Sequence, residues 1–390
     1  MIIKKITGDC SRCGTSRSYG ICFIADNRAV EGCGNCSYSK VVPLPALNKK
    51  TIYLDQCFFS TLFRKSDSKI AEASRLINKL ALLQQIVAPY APIHETESML
   101  WRPDRNKDLF RFIKETSGGH KFRSESEIQS RQLRRALSRH LAKTPVDKSV
   151  ERNDLFRKSV DVWTDYFRID IDRPLVDRDS IIELKKHYID SLIASFPRWR
   201  EERFDDSELL KQEISASGKE LWKHMVDSIQ RCTSNDTLAF LGISSIGQAM
   251  LELLKTLQDS QPETALNELA NFLHSDHFQT LPCVLLSARI HARLRHRIQS
   301  GMHSNIPKAI EDFGGIYFDI IAASIYLPYC DAIYLDNAMR RLIEEIGGAD
   351  TELPVMKFSR SNIDSMIDWL KDIEAKTPDD VRYIANKLYY

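Results

Sequence analysis

Two sets of residues in this chain have the types and spacing to do chemistry. The first is a pair of C-x-x-C turns, Cys10-Ser11-Arg12-Cys13 and Cys33-Gly34-Asn35-Cys36. Four thiolates on two such turns can converge on one tetrahedral ion, and Zn²⁺ is the ion that this ligand set suits. Gly14 and Gly34 ease the tight backbone turns. An all-thiolate site leaves no open coordination position, so a structural zinc is expected and no catalytic role follows. The second set is four carboxylates, Asp55, Glu97, Asp319 and Asp336, each placed by the sequence just beyond a strand or on a small-residue helix. Converging carboxylates repel one another unless a cation lies among them, and oxygen ligands favour hard Mg²⁺ or Mn²⁺. Glu95, two residues from Glu97, competes for the second position. Asp331, at the head of the run that ends in Asp336, is an additional candidate.

The elements that must position these groups can be read from the hydrophobic pattern. Tyr19 to Ala25, between the cysteine pairs, reads as a strand, and Cys22 within it as a buried residue rather than a fifth ligand. A piece of about 45 residues buries little core, so metal would supply most of its folding free energy. Val41-Val42-Pro43-Leu44-Pro45 closes it. Thr51 to Asp55 is then a β-branched strand ending in an acid, followed by a helix from Gln56 to Arg64. Ser66-Asp67 can cap a long helix with Ile70, Ala73, Ile77, Leu80 and Leu83 on one face. Gln85 to Ile93 reads as a second strand. From Gly118 to Gly301 the pattern is almost wholly helical. After Gly314-Gly315 come a helix from Ile316 to Tyr326, a strand from Asp331 to Asp336, a helix from Asn337 to Ile346, a short strand from Leu353 to Phe358 and a last helix near Ser361 to Lys376. Strands alternating with helices predict a parallel sheet covered on both faces, with ligands bound at the carboxyl ends of its strands.

In this order, Leu54-Asp55 after the first strand, Glu97 after the second, Asp319-x-x-Ala322-Ala323 on a helix and Asp331 to Asn337 on the next strand together resemble the PIN-like nucleases. The resemblance covers roughly residues 51 to 117 and 311 to 376. It implies an α/β fold of the three-layer α/β/α sandwich type with a parallel sheet, interrupted by a large all-helical insertion and preceded by a small zinc ribbon. The expected division is 1–45 for the ribbon, 46–117 and 306–390 for the two parts of the α/β domain, and 118–305 for the insertion. The resemblance also implies a metal-dependent endonuclease that hydrolyses phosphodiester bonds, RNA favoured over DNA, with Asp55, Glu97, Asp319 and Asp336 holding Mg²⁺ or Mn²⁺. His94 favours Glu97 over Glu95. The chain departs from the family pattern at Gln56-Cys57, where a polar pair such as Thr-Asn often follows the first Asp, and at Tyr334-Leu335, where a Thr or Ser often precedes the last Asp.

Two stretches invite a nucleic-acid partner. Residues 120–158 hold eleven Lys/Arg against five acids, and residues 277–310 hold no acid while Arg289, Arg293 and Arg297 recur at four-residue spacing. Arg131 and Arg135 in the first stretch, with the second stripe, could neutralise backbone phosphates. Arg135 and His140 also form an Arg-x4-His pattern that looks like the metal-independent HEPN ribonucleases, with His as general base. A catalytically silent nucleic-acid-binding or adaptor protein is a third reading, with a protein partner reached through the ribbon or the insertion. A nuclease role is compatible with a toxin or defence effector.

The composition fits a globular chain. Of 390 residues, 43% are hydrophobic and 28% charged, and 55 Lys+Arg against 53 Asp+Glu leave a net charge of +2. No apolar run approaches the roughly 18 residues of a membrane span, so no membrane partner is expected. Met1 is followed by Ile2-Ile3-Lys4-Lys5 and polar sequence, and nine cysteines scattered around one cluster make no disulfide framework. A cytoplasmic location is the expectation from these features, and oligomeric state is left open.

Overall fold

The computed structural model describes residues 2–101, 104–163, 178–234, 243–257, 261–346 and 354–389. The chain begins with a four-stranded antiparallel sheet in the order β1 (Lys5–Gly8), β2 (Tyr19–Ala25), β3 (Arg28–Cys33) and β4 (Ser39–Pro43). A second, parallel sheet follows in the order β6 (Ile86–Val87), β5 (Lys50–Leu54), β7 (Ala332–Tyr334) and β8 (Met356–Phe358). The second strand is much shorter than the apolar run predicts. Pro89 and Pro92 cannot donate to a ladder, so pairing stops after Val87 and only Tyr90 continues it, bridging to Lys121.

Each strand of the parallel sheet sends alternate side chains to two cores. Ile52, Leu54, Ala332, Tyr334 and Phe358 enter one core with helices α1 (Gln56–Phe63), α2 (Ser68–Leu82), α4 (Asn106–Thr116) and α17 (Ile363–Ala375). Tyr53, Ile333 and Leu335 enter the other. That second core is built mainly by α5 (Glu125–Leu141), α9 (Asp206–Thr233), α13 (Pro282–Gln299) and α15 (Ile316–Tyr326). The helical stretch is thus continuous with the sheet's second face rather than a separate body. Between these helices lie α6 (Arg152–Leu155), α7 (Arg178–Ala194), α8 (Phe196–Glu201), α10 (Ser245–Lys255), α11 (Pro262–His274), α12 (Asp276–Gln279) and α14 (Ile306–Asp312). Helix α16 (Asn337–Glu344) follows β7, and a final α18 (Asp379–Tyr389), absent from the sequence reading, packs Val381 and Ala385 into the first core.

The helix starts are set locally. Asp67 caps α2 by accepting from the N–H groups of Lys69 at 3.0 Å and Ile70 at 3.3 Å. Asp205 caps α9 through Glu208 N–H at 2.9 Å, and Ser124 and Glu127 form a reciprocal capping box on α5. Among the described residues no helix is long and apolar enough to cross a membrane.

Candidate active site and cysteine cluster

The cysteine cluster is formed by the β1–β2 and β3–β4 connections, which lie at the same end of the small sheet. Cys10 Sγ stands 3.8 Å from Cys36 Sγ, Cys13 Sγ stands 3.7 Å from Cys33 Sγ, and all four sulfurs lie within 4.8 Å of one another. Ligands at about 2.3 Å from a tetrahedral centre stand about 3.8 Å apart, so the spacing fits a four-thiolate metal site and not a disulfide. The four cysteines can therefore hold a structural metal such as zinc. Cys22 is buried on β2 and belongs to no such set.

The parallel sheet positions the acids. Asp55 follows β5 directly, and its N–H still extends the ladder by donating to Tyr334 O at 3.0 Å. Its carboxylate caps α1 through Cys57 N–H at 3.2 Å. On the neighbouring strand, Asp336 caps α16 through Met339 N–H at 2.7 Å. Leu54 is registered with Tyr334, so these two caps stand side by side at the strand ends. Glu97 comes from α3 (Pro92–Met99), which leaves the far side of β5 after β6. Asp319 comes from the first turn of α15, beside Gly315, where a Cβ would approach its Oδ2 to 3.4 Å.

The acids lie near enough for their charges to act on one another. Burial raises the pKa of Asp55, and the Asp336 charge raises it further. Glu97 is pushed well above the ordinary carboxylate range by burial and then by Asp55. For Asp319 the causes are burial, then Asp55, Asp336 and Glu97. Two oxygen groups beside them have no hydrogen-bond partner although buried, the Tyr53 hydroxyl and Gln56 Oε1. The donor set is oxygen throughout, which suits Mg²⁺ or Mn²⁺. Among the described residues no three carboxylates crowd within 4.8 Å as the cysteines do.

The remaining candidates lie elsewhere. Asp331 is at the opposite end of the sheet, where Lys50 Nζ at 2.8 Å and Thr51 N–H at 2.8 Å occupy its two oxygens. Its role is to tie β7 to the start of β5, which corrects its inclusion with the acids. Glu95 points to the other side of α3 from Glu97 and lines a cleft of about 650 Å³ with Lys121, Phe122 and Arg157. His94 is fully buried, its Nδ1 accepts from Ala91 N–H at 3.0 Å, and burial pushes its pKa down to about 3. It is a neutral packing residue.

The arginines expected to face phosphate are engaged inside the molecule. Arg131 Nε meets Asp154 Oδ1 at 3.0 Å, and Arg135 Nη2 meets both Asp154 oxygens at 2.7 Å. Arg293 and Arg297 converge on Glu345 at 2.9 Å and 2.7 Å. Arg289, on the same face of α13, belongs to that stripe and also has an interaction within the protein. The stripe is therefore not an open row of cations. His140, the partner of Arg135 in the Arg-x4-His pattern, packs against Phe272 and His277, with ring centroids at 5.8 Å and 5.6 Å.

Three site residues escape a reading of the sequence. Glu125, the first residue of α5, is half-buried with a raised pKa, accepts from the Tyr326 hydroxyl at 2.7 Å, and adds its charge to the field at Glu97. Tyr53 lies under the acids and stacks on Tyr326 at 5.4 Å. Lys185 of α7 acts against the rise in pKa of both Glu97 and Asp319. Only Lys185 leaves a trace in the sequence, as a lysine spaced four residues from Ile181 and from Ile189 on what becomes a buried stripe. Compared with protein-family models, with curated proteins and with solved structures, the chain matches none.

Proposed function

We propose that this protein is a metal-dependent phosphodiesterase, an endonuclease of the PIN-like kind that acts on nucleic acid, RNA in preference to DNA. The observation that carries the reading is the placement of Asp55, Glu97, Asp319 and Asp336, from four elements, near the carboxyl end of a parallel sheet, where the charges of Asp55, Asp336 and Glu97 all raise the pKa of Asp319. Such a cluster is costly without a cation, and its all-oxygen donor set selects Mg²⁺ or Mn²⁺. The preference for RNA rests on the resemblance alone.

An ion bound there would supply Lewis acidity and offset negative charge on the phosphoryl oxygens of a phosphodiester attacked in line by water. Asp55, Glu97, Asp319 and Asp336 would hold it directly or through its waters, with Asp55 and Asp336 fixed by their helix-capping bonds and thus pre-oriented. Tyr53 and Gln56, on either side of Asp55 in the sequence, are buried. Cleavage leaves a 5′-phosphate and a 3′-hydroxyl.

The test is cleavage of end-labelled RNA and DNA in Mn²⁺ or Mg²⁺ by the wild type and Asp55→Asn, with product ends identified. The expected result is 5′-phosphate ends from the wild type and at least a hundredfold loss in Asp55→Asn, on the scale of removing a group that stabilises the transition state. Equal cleavage by both proteins, or a metal-independent 2′,3′-cyclic phosphate product, overturns the assignment. Binding without cleavage by either protein favours the adaptor reading.

A further inference from the structure

Helix α7 packs against α3 and α15, the helices that carry Glu97 and Asp319. Its first residue, Arg178, donates through Nε to Met99 O at the end of α3, at 3.2 Å. Ten residues on, Tyr188 lies against Tyr317 of α15, with ring centroids 4.8 Å apart. The helix thus spans from the element that carries Glu97 to the element that carries Asp319, and it packs against both. Its inward stripe is Ile181 and Ile189, both buried, and the residue one turn from each is Lys185.

A lysine on an inward helix face normally ends in an ion pair, because an unpaired buried ammonium is costly. Lys185 is half-buried and has no carboxylate within ion-pairing distance among the described residues. Its charge is nevertheless felt at Glu97 and at Asp319. The inward stripe of α7 therefore places Lys185 on the side of the helix that packs toward α3 and α15, the elements that carry Glu97 and Asp319. An anion that entered between them would meet the cation held by the acids on one side and Lys185 on the other.

We propose that Lys185 is the substrate-positioning cation of this site, donating to a non-bridging oxygen of the phosphodiester that lies against the acids, and that the helical stretch exists in part to bring it there. The assignment rests on the phosphodiesterase reading above. It names phosphate as the group recognised and α7 as the element that recognises it. The arginines of α5 and α13 hold internal carboxylates, so this lysine supplies a contact that they do not.

The test is equilibrium binding of a fluorescein-labelled single-stranded RNA to the full chain in Ca²⁺, which replaces the working ion and prevents turnover, across a series of KCl concentrations. Wild type, Lys185→Met and Lys185→Arg are compared, each first shown by thermal melting to be folded. Loss of one phosphate contact reduces the slope of log K against log salt by about 0.7 for a single strand. The expected result is that reduction in Lys185→Met, with affinity down by about tenfold at low salt, and a wild-type slope in Lys185→Arg, which keeps the charge. An unchanged slope in Lys185→Met, with binding otherwise intact, overturns the role of Lys185 and leaves the acid site standing. No binding by the wild type in Ca²⁺ overturns both.

Discussion

Asp319 receives more like charge than any other acid of the cluster, from Asp55, Asp336 and Glu97 in turn, on top of burial. Its folded pKa lies above that of the unfolded chain. The folded state therefore holds the proton more tightly, and the stability this contributes is complete below about pH 4, the ordinary carboxylate range, and lost as pH rises through the folded value. Asp319→Asn removes one of the repelling charges and little volume. We expect it to stabilise the metal-free protein at neutral pH and to flatten the fall in melting temperature as pH rises above the ordinary carboxylate range. The same variant should lose most of the upward shift in melting temperature that Mn²⁺ produces in the wild type, because stabilisation by a ligand follows its affinity for the folded state. Scanning calorimetry with and without Mn²⁺ reads both effects. A variant that melts with the wild-type pH profile contradicts the assignment of Asp319 to the cluster.

Helix α5 illustrates how an element can look like a catalytic or phosphate-binding device and serve as a brace. Arg131 and Arg135 close on Asp154, which is fully buried and also receives the Tyr329 hydroxyl at 3.4 Å. Breaking a buried pair by removing one partner leaves uncompensated charge and typically costs about 3–5 kcal/mol. Asp154→Ala should destabilise the protein by that amount in chemical denaturation. His140→Ala, by contrast, should leave cleavage of RNA in Mn²⁺ at the wild-type rate, since the ring packs on Phe272 and His277 away from the acids. Lost cleavage in a folded His140→Ala would return the Arg-x4-His pattern to consideration.

The cysteine module and the α/β body are joined rather than merely tethered. Ala29 of β3 and Leu44 enter the first core, Lys387 of α18 pairs with Glu31 at 2.5 Å, and Lys5 Nζ reaches Asn386 O at 3.5 Å. A metal-free module of this size buries too little to fold alone. The purified protein should therefore carry one equivalent of zinc by elemental analysis. Cys33→Ser should lose the metal and expose the adjoining face of α18, seen as faster amide exchange in residues 379–389, while the second core keeps its protection. Zinc loss without any change at α18 would show that the contact contributes no stability.

Much of this molecule is readable from local pattern. The paired cysteines, the strand Tyr19–Ala25, the capped helix after Asp67 and the acids that follow strands are encoded within a few residues of one another, because turn chemistry, capping and amphipathic period act at that range. Sequence order also marked Asp55, Glu97, Asp319 and Asp336 as one group. What local pattern does not carry is direction and partnership. Glu95 and Glu97 differ by two helical positions, about 200° of rotation, and only packing decides which faces the sheet end. Asp331 has the look of a site acid, yet strand polarity sets it at the wrong end. The basic stripes read as open surface until Asp154 and Glu345, distant in sequence, arrive to pair with them. Glu125 and Lys185 join the acids only because the helical stretch folds back onto the sheet's second face. Charge interactions act through space without regard to sequence separation, so the composition of the site was settled by the tertiary structure.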